Sequence, residues 1–100
     1  MTITKNRNGS ALTLAVEGRL DTATSPDLEA IIKSELDGVD SLVFDLSKLE
    51  YISSAGLRIL LSAQKTMNRQ GTMKVTGTAS NEIVTEIFDV TGFSDILTIE

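Results

Sequence analysis

SLVFDLSKLEYISSAGLRILL, residues 41–61, joins two unlike patterns. Ser41 to Leu46 is a nearly continuous apolar run with Asp45 near its carboxyl end. Such runs suit a strand buried on both faces of a helix-covered parallel sheet. From about Ser54 to Arg69 the period changes. Leu57, Leu60, Leu61, Gln64 and Met67 fall on one stripe, with Ala63 beside it, as in a helix packed by one face. Lys65 and Arg69 lie toward the negative end of the helix dipole, and Gly71 is the expected C-cap. The intervening SKLEYI reads as a short loop.

Working outward, residues 2–7 and 11–17 read as two strands. Leu12, Leu14 and Val16 alternate onto one face of the second. Asn8-Gly9 between them is a strong hairpin signal, because both residues tolerate positive φ. Residues 18–24, GRLDTAT, read as a loop. Ser25-Pro26 reads as the N-cap and first position of a helix carrying Leu28, Ile31, Ile32 and Leu36, closed by Gly38. Downstream, TMKVT (72–76) is a further strand. Ser80 is the expected cap of a third helix, stopped near Gly92. DILTIE adds a last strand, or a helical turn and a strand. The order β-β-α-β-α-β-α-(β) predicts an α/β fold: one domain over residues 1–100, an N-terminal antiparallel hairpin, then parallel strands, with helices packed on the mixed sheet.

The composition narrows the chemistry. The 100 residues contain no cysteine and no histidine. That removes disulfides, thiolate metal sites, the commonest general base and any Ser-His-Asp triad. Nine basic against fourteen acidic residues give a net charge of −5, which argues against nucleic acid as a partner. There is no signal-peptide h-region and no apolar run long enough to span a bilayer. A cytoplasmic protein without direct membrane insertion is expected.

The serine pair Ser53-Ser54 opens the second helix. A helix-start serine accepts a hydrogen bond from an orphan N–H, and Ser54 is the expected cap. Neither serine has a Glu or Gln three residues on, so no capping box forms. Ala55 and Gly56 are unusually small for a first turn and leave room for a close approach. Catalysis is not expected: there is no G-x-S-x-G elbow, no histidine, and no spacing that supports a dyad with Lys48. Glycine loops that cradle phosphates are also missing. Sites in open α/β sheets lie beyond the carboxyl ends of the strands. This expectation brings Asp21, Asp45, Ser53 and Ser54 together. Asp45 itself suits a structural role, holding its loop through backbone hydrogen bonds. Arg58 projects from the first turn, either toward a partner or simply into solvent. Ile59 falls off the core stripe, as an interface contact or packed on the neighbouring helix.

With the elements in order, VFDLSKLEYISSAGLRILL (43–61) resembles the signature of STAS domains, specifically bacterial anti-sigma factor antagonists. GRLDTATS (18–25) looks like the family's G-x-L-D-x-x-T loop, and IFDVTGF (87–93) like its late helix-ending segment. The resemblance implies a STAS-like mixed sheet and regulation by partner switching, without enzymatic activity or a cofactor. An unphosphorylated antagonist, a monomer when free, binds an anti-sigma factor that is also a serine kinase of the histidine-kinase-like ATPase fold. Phosphorylation releases it, and a metal-dependent serine phosphatase resets it. Aligned on Gly56-Leu57, the acceptor is Ser54, with Ser53 as the lesser candidate. Ser53 stands where the best-known members carry aspartate, and Asp21 matches the loop aspartate that flanks the acceptor. The implied partner surface comprises Asp21, Thr22, Ser53, Ser54, Ala55 and Gly56, with Arg58 and Ile59 added from their place on the helix. A second reading is a STAS accessory subunit of a lipid-transport or signalling complex, with the serine only a cap and no phosphoswitch. A nucleotide-binding reading has no phosphate loop behind it.

Overall fold

The computed structural model describes residues 1–100. Strands β1 (Thr2–Asn8) and β2 (Ala11–Leu20) form the expected antiparallel hairpin. Its two-residue turn is Gly9-Ser10, one position later than expected, with Gly9 at φ +64° supplying the left-handed conformation. Helix α1 (Ser25–Glu35), strand β3 (Ser41–Asp45), strand β4 (Leu49–Ile52), helix α2 (Ser54–Met67), strand β5 (Thr72–Thr76) and helix α3 (Glu82–Thr91) follow. Short 3₁₀ turns precede and follow α3. At the end, Ile99 bridges Val75 in parallel, so the tail is a helical turn plus an extended end.

The sheet runs β1-β2-β3-β5, and β4 pairs with β2 beyond the end of β3. All pairings except β1–β2 are parallel. β2 is longer than its alternation suggested, because GRL (18–20) belongs to it. Residues 11–15 pair with β3, and residues 18–20 pair with β4 across a register shift at Gly18/Arg19. Gly18 sits at φ +90°, which lets the strand bend there. The segment expected to be a loop, SKLEYI, therefore contains a strand. Its short L-E-Y-I pattern is buried only at Leu49 and Ile52. That spacing gives no period-2 signal, so only the pairing with β2 reveals it.

β3 is not buried on both faces. Leu42 and Phe44 are buried, while Ser41, Val43 and Asp45 are half-buried. The neighbouring outward positions are Thr13 and Ala15 on β2 and Thr72, Lys74 and Thr76 on β5. Small and polar side chains of this kind cannot line a second core, so one face of the sheet stays solvated. The other face carries a continuous apolar cluster. Leu12, Leu14, Val16 and Leu20 of β2 meet Leu28 and Ile32 of α1, Leu57, Leu60 and Met67 of α2, and Val84 and Phe88 of α3.

The helix ends differ from expectation by a residue or so. Thr24 takes the N-cap position of α1, and Ser25-Pro26 open the helix. Asn81, not Ser80, caps α3. Asn68 is the C-cap of α2, and Gly71 lies in the turn beyond it. A Cβ on Gly71 would collide with the Asp40 carbonyl oxygen. Glycine is needed there because the chain entering β5 passes against the chain entering β3, and the backbone N–H of Thr72 donates to that carbonyl.

Candidate functional site

The β2–β4 ladder delivers the two serines. The backbone N–H of Ser53 donates to the Leu20 carbonyl at 2.9 Å, one step beyond the Leu20–Ile52 pair. Ser53 thus stays extended, at φ −89° and ψ 173°, and its hydroxyl accepts from the Gly56 N–H at 3.3 Å. The N-cap is Ser53 rather than Ser54. Ser54 is the first helical residue; it is exposed and makes no side-chain hydrogen bond. The local reason is geometric: a cap must keep non-helical dihedrals, and the ladder imposes them on Ser53.

Gly56 is buried, and the close approach that it allows is internal. A Cβ there would fall 2.8 Å from Leu20 Cγ and 2.9 Å from Ile52 Cγ1. Gly56 therefore seats α2 on the strand ends and is not part of the surface. Ile59 is 7% exposed; of its two expected roles it takes the packed one. Asp45 lies apart from the serines. It pairs opposite Ala15, whereas Ile52 pairs opposite Leu20, five residues further along β2, roughly 16 Å at strand rise. Its carboxylate accepts from the Ser47 N–H at 3.0 Å, a structural role as expected.

Asp21 follows Leu20 directly, so it lies beside Ser53 at the strand ends. Its carboxylate is occupied. Oδ1 accepts from the backbone N–H groups of Ala23 at 3.0 Å and Thr24 at 3.1 Å. Arg19 Nε stands 3.7 Å from Oδ2, and the Arg19 guanidinium also lies 4.5 Å from the Tyr51 ring centroid. Foremost the Thr24 N–H holds the Asp21 carboxyl below its ordinary value. The Thr24 hydroxyl, the Ala23 N–H and Arg19 add to this, and desolvation opposes it. The hydroxyl of Thr24 closes the loop by donating to the Arg19 carbonyl and accepting from the Asp21 N–H. Asp21 thus fixes the entrance to α1.

Between α1 and α2 runs an open groove of about 630 Å³. Thr22, Ala55, Arg58 and Ile59, four of the expected surface residues, line it. Ser25, Pro26 and Glu29 of α1 and Leu61, Ser62 and Lys65 of α2 complete it. The α2 residues were within reach of sequence reasoning, since Ser62 and Lys65 continue the helical stripe that starts at Ser54 and Arg58. The α1 wall was not, because nothing local says which face of α1 meets α2. Ser54 is exposed at the head of this stripe, and its hydroxyl makes no hydrogen bond.

The STAS domain family matches residues 2–100. The chain belongs to the STAS domain family. BtrV of Bordetella bronchiseptica, named as an anti-sigma factor antagonist, is 33% identical over 98 residues, which cover 96% of this chain and 83% of BtrV. The crystal structure of an anti-sigma factor antagonist from Mycobacterium paratuberculosis superposes with a TM-score of 0.86 at 24% identity, covering 98% of this chain and 83% of that one. The Bacillus cell fate determinant SpoIIAA in its phosphorylated form gives a TM-score of 0.75 at 13% identity, covering 99% and 91%. This STAS chain thus has the mixed sheet of SpoIIAA and its relatives, and no helix in it is long and apolar enough to cross a membrane.

Proposed function

We propose that this STAS protein is an anti-sigma factor antagonist that works by partner switching. Unphosphorylated, it binds an anti-sigma factor that is also a serine kinase. Phosphorylation of Ser54 releases it, and a serine phosphatase restores it. The observation that carries this reading is the division of labour in the serine pair. Ser53 supplies the cap, so the exposed Ser54 hydroxyl is free, one residue before Ala55 of the groove wall. The names of relatives such as BtrV support the partner class. That SpoIIAA has been determined in a phosphorylated form supports the switch.

The physics fits. Phosphate adds about −1.5 to −2 charges. At the first position of α2 the helix dipole tolerates it, so the fold survives. At an interface that must exclude water the same charge is costly, by several kcal/mol where it is left unpaired. The switch therefore acts on binding and not on folding.

The test starts by recovering the kinase partner from native extract with this protein as bait. The purified pair is then incubated with ATP, and phosphate is mapped by mass spectrometry. One phosphate on Ser54 is expected, with loss of the complex, and Ser54→Ala should bind but resist release. No incorporation, or a Ser54→Ala variant that is still phosphorylated and released, would sink the proposal.

A further inference from the structure

Six of the nine Lys and Arg residues stand beside a carboxylate. Lys5 and Arg7 meet Glu35, Arg19 meets Asp21, Lys33 meets Glu29, Lys48 meets Glu17, and Lys74 meets Glu100. Arg58, Lys65 and Arg69 do not. These three lie on α2 or in the turn after it, and α2 contains no acidic residue. In a chain with fourteen acidic residues, that helix is a local exception. Arg58 is exposed and makes no side-chain hydrogen bond.

Arg58 also stands in a specific relation to Ser54. The two are four residues apart on one helix, so they share a face at about 6 Å of rise. Long helical side chains lean toward the N-terminus, so the turn that holds Ser54 is within reach of the guanidinium. An anion placed N-terminal to a cation at this spacing is the favourable orientation. The other charged groups nearby are engaged. Arg19 is held by Asp21 and stacked on Tyr51, and Glu29 across the groove is held by Lys33 at 3.6 Å. Lys65 lies two turns further along α2.

We infer that Arg58 is the counter-charge held in reserve for a phosphate on Ser54. This rests on the reading of Ser54 as the modified residue. In the unmodified protein the guanidinium is free to meet a carboxylate of the partner. Once Ser54 is phosphorylated, the phosphate oxygens take the guanidinium N–H donors in a charge-assisted pair. Phosphorylation then both adds a negative charge and withdraws a positive one from the same surface.

The experiment uses protein with phosphoserine installed at residue 54 during translation. Its phosphate is titrated by ³¹P NMR at low ionic strength, in the otherwise unaltered chain and in Arg58→Gln, Arg58→Lys and Arg19→Gln. Arg58→Gln should raise the midpoint of the second phosphate ionisation by about half a pH unit. Arg58→Lys should recover part of that shift, and Arg19→Gln should leave the midpoint in place. Equal midpoints in the otherwise unaltered chain and in Arg58→Gln, or a shift that follows Arg19 instead, would overturn the assignment. Because the phosphate is installed without a kinase, this result is independent of whether any kinase modifies Ser54.

Discussion

Two adjacent serines with the same side chain have different work because their backbones differ. Ser53 is tied to Leu20 and stays extended, so its hydroxyl can reach the Gly56 N–H; Ser54 is already helical and cannot. Ser53→Ala should therefore cost about 1 kcal/mol in urea denaturation, whereas Ser54→Ala should stay within about 0.5 kcal/mol of the parent. Equal losses would mean that the cap is misassigned. Asp21 gives a pH test. Its carboxyl titrates below its ordinary value of 3.8, chiefly through the Thr24 N–H. A lowered folded-state value stabilises the protein above the unfolded value, and that stability is lost as pH falls through the folded one. Asp21→Asn should thus lose less thermal stability than the parent in the acid window below about pH 4. The difference between the two melting temperatures should be flat above that window. The resemblance to antagonists pointed to Ser54, but Ser54 as cap was wrong by one residue. Residue types alone cannot say where extended backbone ends.

Among the elements, β4 is the one on which the site depends and the one least visible in the sequence. Four residues with a buried, exposed, exposed, buried pattern carry neither strand nor helix periodicity. What holds them is long-range. Besides the ladder to β2, the buried Asn81 amide donates to the carbonyls of Leu46 at 2.9 Å and Leu49 at 2.6 Å, while its oxygen accepts from the Val84 N–H. One side chain caps α3 and pins the loop that leads into β4. Asn81→Ala leaves two carbonyls and an N–H without that partner, and about 2–3 kcal/mol should be lost. Amide hydrogen exchange should show β4 and the start of α2 opening more than β1. Uniform protection changes would argue against Asn81 as a local staple. By contrast, the long amphipathic helices were legible within a residue or two, because their buried stripes repeat over several turns.

At the scale of the molecule, the 23 buried apolar residues form one cluster that touches every helix and all strands from β2 on. Such a core should unfold as one unit. The single tyrosine, Tyr51 on β4, provides a local probe to set against far-UV circular dichroism. The two transitions should coincide in urea. Phe44→Ala at the centre of the sheet should move both together by about 3–5 kcal/mol. Separate midpoints would show β4 and its serines melting as a unit of their own. A phosphate on the exposed Ser54, as proposed, would lie outside this cooperative core and leave the fold undisturbed. Ser54 and Arg58 stand outside that cluster, while Leu57 and Ile59 beside them are inside it.

By itself the sequence determined the hairpin, the three helices, the strands β3 and β5 and the apolar stripe of α2, because each is written in a local pattern or a turn residue. It also excluded thiol and histidine chemistry by composition. Only the tertiary structure decided that the sheet is covered on one face, that β2 is shared between β3 and β4, that Asp45 lies away from the serines, and that Ser53 is the cap. Each of those depends on which strand lies beside which. Pairing register is settled by contacts between residues far apart in the chain, and no short window of sequence contains them.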